Sequence, residues 1–178
     1  MSLKLITAAP ELAVSVAEVK LACRFDPSDL DSDILAMITD ATRLVEHETG
    51  QCVMAQTWEL TLAAFPAAFR PTRLPVASVT SLKYTDGSGL LQTLAPSAYT
   101  LDNTDAFGPA QVLPAYGTSW PVSRAQINAV ALRYVTGYAT AAEVPSQIKR
   151  QIKIFVAMMI DDPLSLSDRL AAIDKVWA

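Results

Sequence analysis

The residues able to do chemistry in this chain are few and scattered. His47 is the single histidine, flanked by Glu46 and Glu48. Adjacent helical residues point about 100° apart, so this triplet cannot close on one ion unaided. A polar contact in a last helical turn is the expected role, with Arg43 one turn back. Four acids, Asp26, Asp29, Asp31 and Asp33, crowd one short stretch. Glycosidase chemistry needs one carboxyl group raised by burial and a facing partner. An acidic turn before a helix instead keeps its carboxylates wet and ionised. Their alternation suggests calcium, yet Pro27 and Leu30 interrupt an EF-hand loop, and its glycine and closing glutamate are missing. Capping and solubility come first as a reading, then an acidic docking surface.

Other motifs fare no better as sites. Asp86-Gly87-Ser88-Gly89 lacks the GxGxxG spacing, the following helix and the Lys-Ser/Thr pair of a phosphate cradle. It reads as a hairpin turn. Cys23 and Cys52 lie in unrelated contexts, so two reduced thiols are expected and no cysteine-based metal site. Lys149, Arg150 and Lys153 gather on one side of a helical pattern. They read as a solvated face, as an intersubunit surface meeting an acid such as Glu46 or Asp29, or as a transient contact to DNA. Phe107, Tyr116, Trp120 and Trp177 are loop or chain-end aromatics, which serve cores and interfaces alike. No catalytic, cofactor-binding or metal-ligating residue is assigned, no cofactor is expected, and the chain reads as a non-enzyme.

Those residues must be carried by a chain of 178 residues that is 51% hydrophobic and 18% charged. That is one domain's worth of sequence with a real core, not a disordered segment. The net charge of -4 disfavours a surface that coats nucleic acid broadly. Residues 1–50 carry nine acids against four bases, while 121–178 carry seven bases against five acids. No apolar run reaches the 18 or so residues of a membrane helix, and Met1 to Ala13 lacks a signal-like apolar segment. No membrane contact is expected.

The pattern predicts a helix over Val16 to Arg24, opened by a Ser15/Glu18 capping box and closed at Asp26-Pro27. A second helix, capped by Asp29 or Asp31, carries the stripe Ile34, Met37, Ile38, Ala41, Leu44 and Val45, and ends at Gly50. Trp58, Leu60 and Leu62 alternate as a half-buried strand. Pro66, Pro71 and Pro75 mark a surface loop. Val79 to Thr85 and Leu90 to Leu94 form a hairpin about the glycine turn, and a short extended piece surrounds Tyr99 to Asp102. Ala106 to Pro121 reads as irregular, and Asp105 to Pro121 and Pro66 to Arg73 are expected to be loosely held. A strand over Asn128 to Val135 follows, then a helix after Pro145 bearing Ile148, Ile152, Phe155, Val156 and Met159. Asp162-Pro163 stops that helix, and a short one is predicted over Ser167 to Val176. The expected fold is α+β: a mainly helical bundle body, 14–50 and 145–177, with a small antiparallel β insertion over about 53–138, all in one domain, 1–178. The faces around Ile38, Leu44, Ile152 and Phe155 are expected to share one core.

Several segments together resemble the head-to-tail connector (adaptor) proteins of long-tailed bacteriophages and prophages, in the larger subfamily with a β insertion. They are Val16 to Leu21 leading into Asp29 to Asp33, Val45 to Gly50, Gln56 to Leu60, and Pro114 to Pro121. Val130 to Tyr138 and Val144 to Lys149 extend the resemblance, which covers roughly residues 14–160; Leu164 to Ala178 departs from it. The resemblance implies a structural virion subunit that forms a ring, typically twelvefold, beneath the portal protein and above a head-closure or tail-completion protein. It implies a DNA passage through the ring, a place at the head–tail junction of the virion, and host cytoplasm during assembly and DNA packaging. It supplies no catalytic residue. Another tail-completion or assembly protein is the alternative, and a small enzyme with an acidic site the remote one.

Overall fold

The computed structural model describes residues 1–24, 30–105 and 109–161. The predicted Asp26-Pro27 boundary, Asp29, Phe107, the terminal helix over Ser167 to Val176 and Trp177 lie outside the described residues. Seven strands and three α-helices run in the order β1 (Ser2–Thr7), α1 (Val16–Cys23), α2 (Asp31–Thr49), β2 (Gln56–Leu62), β3 (Val76–Thr85), β4 (Leu91–Leu94), β5 (Tyr99–Asp102), β6 (Gln111–Pro114), β7 (Val130–Thr136) and α3 (Ser146–Asp161), with a 3-10 turn at Pro96–Ala98. The chain divides into two compact units, residues 1–10 with 50–139 and residues 11–49 with 140–178.

The first unit is all β. Its five-stranded sheet has the order β1-β2-β7-β3-β4, every pair antiparallel, and β5 pairs with β6 separately. Alternation decides which face is dry. Trp58, Leu60 and Leu62 stand opposite Tyr134, Leu132 and Val130, which in turn stand opposite Val79, Leu82 and Tyr84. This row is the core face, with Leu60, Leu82, Leu132 and Tyr134 buried. On the other face lies a polar row, Lys4 opposite Glu59 opposite Arg133 opposite Ser81. Arg133 donates to one Glu59 carboxylate oxygen through Nε and Nη2, at 3.1 and 2.7 Å.

The expectation of a mainly helical body with a small β insertion is wrong. Among the described residues there are three helices, and the sheet is the larger structure. Two misreadings account for it. In Ser2–Thr7, Leu3 and Leu5 alternate with Ser2 and Lys4 over only six residues, too few for periodicity to stand out as a strand. Residues 106–121 read as irregular because glycine and proline punctuate them, yet Gln111–Pro114 pairs residue for residue with Tyr99–Asp102.

The second unit is helical. The capping box is present as predicted: Glu18 N–H donates to Ser15 Oγ at 3.2 Å, and Ser15 N–H to Glu18 Oε2 at 2.8 Å. Lys20 pairs with Asp31 and ties the start of α2 to α1. Ile34, Ile38, Ala41, Leu44 and Val45 of α2 are buried, as are Ile152, Val156 and Met159 of α3, and the two helices pack on each other. Phe155 is only half-buried.

Gly137 closes β7 at φ 96°, and a Cβ there would run into the Met54 carbonyl. Gly137→Ala should therefore destabilise by more than about 1 kcal/mol. Gly87→Ala, which meets open space, should stay within about 0.5 kcal/mol; urea midpoints of the two variants check this.

Burial pushes the Tyr134 hydroxyl up to about 12. The neutral phenol is thus favoured in the fold, so its contribution is full below the unfolded pKa near 10. It is lost as pH rises from about 10 through 12. Wild type should shed on the order of 2 kcal/mol more than Tyr134→Phe across that window, read as urea midpoints at each pH.

Candidate functional site

Among the described residues no group of three or more His, Cys, Asp and Glu side chains is placed to hold a metal ion. No described helix is long and apolar enough to cross a membrane. His47 and Glu48 are exposed in the last turn of α2, and Asp33 is exposed in its first.

The three bases of α3 do not act as one patch. Lys153 reaches back to Glu18 Oε1 at 3.6 Å, and its side chain is only 28% exposed. Glu18 is held below the usual carboxylate range chiefly by the Ser15 backbone N–H, helped by Ser15 Oγ and the charges of Lys153 and Lys149, with burial opposing. Lys149 is half-buried and Arg150 is exposed. The acids and bases singled out as partners between subunits are thus partly engaged within one chain, Lys20 with Asp31 and Lys153 with Glu18.

Between α1 and α3 runs a groove of about 470 Å³. Ala22 and Cys23 form one wall; Arg150, Lys153, Ile154, Ala157, Ile160 and Asp161 form the other. The helical repeat explains the lining, since these α3 positions fall three, four and seven residues apart along one side. Its surface is apolar along the middle, with the bases toward the start of the α3 stretch and Asp161 at its end. Burial, then the charge of Asp161, pushes the Cys23 thiol up. Periodicity placed Ile152, Val156 and Met159 on the core side, where they are buried, but gave no sign that the neighbouring stripe would form a concavity.

In the β unit, the glycine turn is a rigid tip. Asp86 Oδ1 accepts from the Ser88 and Leu90 N–H groups at 2.9 and 3.0 Å, and Oδ2 from Gln92 Nε2 at 2.8 Å. The Gln92 hydrogen bond above all keeps Asp86 ionised. Leu90 and Leu91, where the turn enters β4, are 63% and 68% exposed.

The loop aromatics divide. Tyr116 stands fully in solvent. Trp120 stacks on Phe65 at 5.2 Å, and Phe69 meets both rings edge-on at 5.5 and 6.1 Å. Phe69 is 1% exposed and trades two backbone hydrogen bonds with Val112, at 2.9 and 3.0 Å. The stretches 66–73 and 105–121 are expected to be loosely held, yet Phe69 anchors the first, and Val112 and Trp120 anchor the described part of the second. Proline removes donors but does not stop an aromatic residue from being buried.

No protein-family model matches the chain, and no curated protein sequence does so either. Its fold, however, recurs in gene transfer agent (GTA) particles. The chain is similar to a chain in the neck of an empty GTA particle computed with C6 symmetry, with TM-score 0.76 at 22% identity, covering 90% of this chain and 84% of that one. A chain in the virion of a native GTA particle superposes with TM-score 0.75 at 22% identity over the same shares. For the neck of a native GTA particle computed with C12 symmetry, the TM-score is 0.69 at 20% identity, again over 90% and 84%. The likeness is one of fold.

Phe69→Ala should cost about 3–5 kcal/mol, the range for a buried aromatic truncated in a packed site. It should also speed hydrogen exchange at the Val112 amide, which loses its anchored partner strand. A cost under 1 kcal/mol in a urea melt would show that the aromatic cluster does not hold these loops.

Proposed function

We propose that this chain is a structural subunit of the neck of a phage-like particle, where copies assemble into a closed ring. The observation that carries the reading is the fold shared along 90% of the chain with neck and virion chains of GTA particles, two of them in necks computed with C6 and C12 symmetry. The resemblance of its segments to head-to-tail connectors supports the same place from the sequence side. The ring sits beneath a portal protein and above a closure or tail-completion protein, DNA passes through it, and the subunits gather in the host cytoplasm before joining the particle. Its work is mechanical rather than catalytic: it supplies fixed surfaces to its neighbours.

A ring places one physical demand on the subunit. Each copy must carry two unlike, mutually complementary surfaces, because a head-to-tail contact closes by rotation rather than by a twofold axis.

Negative-stain microscopy of the full chain mixed with its cognate portal tests the reading. Rings of sixfold or twelvefold appearance, stacked coaxially on the portal, are expected. Bare portals after mixing at tens of micromolar, with no ring in the background, would refute it.

A further inference from the structure

Two surface features have shapes and charges that answer each other. One is the β3–β4 hairpin tip, convex and apolar at its crest, where Leu90 and Leu91 are 63% and 68% exposed. The segment 122–127 runs alongside, fixed by Arg124 N–H to the Thr85 carbonyl at 2.9 Å and by Gln126 Nε2 to Thr85 Oγ1 at 3.2 Å. It adds Val122 and Ile127, both 85% exposed. Four large apolar side chains left in water at one end of a sheet mark a contact surface rather than scattered chance exposure. The other feature is the α1–α3 groove, concave, with Ile154, Ala157 and Ile160 along its length.

We propose that the hairpin tip of one copy seats in the α1–α3 groove of the next, making the repeating contact of the ring. The proposal rests on the ring reading above and names its interface. An apolar cavity of about 150 Å³ takes a benzene-sized group, so a groove of about 470 Å³ has room for both leucine side chains. Charge sets the direction. The tip carries the ionised Asp86, with the Arg124 guanidinium against Gly89, where a Cβ would meet Nη1 at 2.5 Å. The groove carries Arg150 and Lys153 toward one end and Asp161 at the other. Asp86 facing Arg150 and Arg124 facing Asp161 is one orientation in which both ends attract; turning the tip round sets like charges together. Tip and groove are different surfaces, so the contact is heterologous and propagates until it closes.

Cysteine cross-linking tests this in the full-length protein, because Cys23 already lines the groove and Cys52 is buried. Leu90→Cys should allow a disulfide between that position and Cys23 of the next copy. The chain is incubated with its portal at pH 8.5, treated with copper phenanthroline and run on a non-reducing gel. A ladder extending beyond dimer is expected, collapsing with reductant and vanishing when Cys23→Ser is added. No species above dimer, or a ladder that persists with Cys23→Ser, overturns the proposal. Leu91→Asp and Ile154→Asp, at exposed positions that leave circular dichroism unchanged, should each reduce ring yield in micrographs at least tenfold. Normal rings from either variant overturn the tip-in-groove contact while the ring reading stands. Absence of rings from the wild-type chain with its portal fails both.

Discussion

Strand β7 is hydrogen-bonded along both edges, to β2 on one side and β3 on the other, and Val130, Leu132, Tyr134 and Thr136 are all buried. The five-stranded sheet is built outward from that strand. Because side chains alternate with a period of two, a slip of one residue would carry those four into the polar face and bring Arg133 into the core. The Glu59–Arg133 ion pair on the polar side therefore helps report the same register that the apolar row on the dry side enforces. Half exposed as it is, the pair contributes little to stability, on the order of 0.2–1 kcal/mol. The dry side decides. Gly137 then ends the strand at the one point where the Met54 carbonyl leaves no room for a side chain.

How much of this was legible depended on whether a segment's partners were near in sequence. The Ser15/Glu18 capping box, the α2 stripe, the glycine hairpin and the α3 stripe are local patterns, and each is found where its residues predict it. Strand β1 is different, since its partner β2 lies more than fifty residues away and Lys4 in its middle looks like a loop residue. On an open edge that lysine serves a purpose, blunting a strand that would otherwise offer its unpaired backbone to any passing chain. Strands β5 and β6 are four residues each, held by one another and by the Phe69–Val112 bridge. Nothing in 106–121 alone distinguishes a glycine- and proline-rich loop from one whose Val112 is completely buried. Weighting the helices, whose signal is loud, and discounting short strands, whose signal is faint, inverted the balance of the fold.

The surfaces were less legible than the elements. The residue types were noticed, with Lys149, Arg150 and Lys153, the acids of 29–33, Tyr116 and Trp120 all picked out. Their fates split according to geometry that spacing does not contain. Tyr116 and Trp120 are four residues apart in one glycine- and proline-punctuated segment, yet one is fully in water and the other is stacked on Phe65. The groove needed α1 and α3 side by side, and those helices are separated by most of the chain. Cys23, expected from the sequence to be a reduced thiol, lines it.

Charge counted by segment is also a poor guide to how a subunit meets its neighbour. Most of the acidic leading segment falls in the helical unit, where Lys153 answers Glu18 and Lys20 answers Asp31, whereas Arg124 and Arg133 of the basic trailing segment lie in the β unit. Opposite charges close in space neutralise each other locally and leave a much weaker field at a distance than the segment totals imply. What can steer a second copy is the remainder, the exposed Arg150 and Asp161 on α3 and Asp86 with Arg124 at the hairpin tip. Such rim charges select orientation and reject wrong encounters more than they add affinity. Affinity has to come from apolar surface removed from water, and Leu90, Leu91, Val122 and Ile127 are exposed in the segments that carry Asp86 and Arg124. Orientation from the charges and adhesion from the leucines are separable functions, and a repeating contact needs both, because adhesion without orientation would let copies aggregate in any register instead of closing.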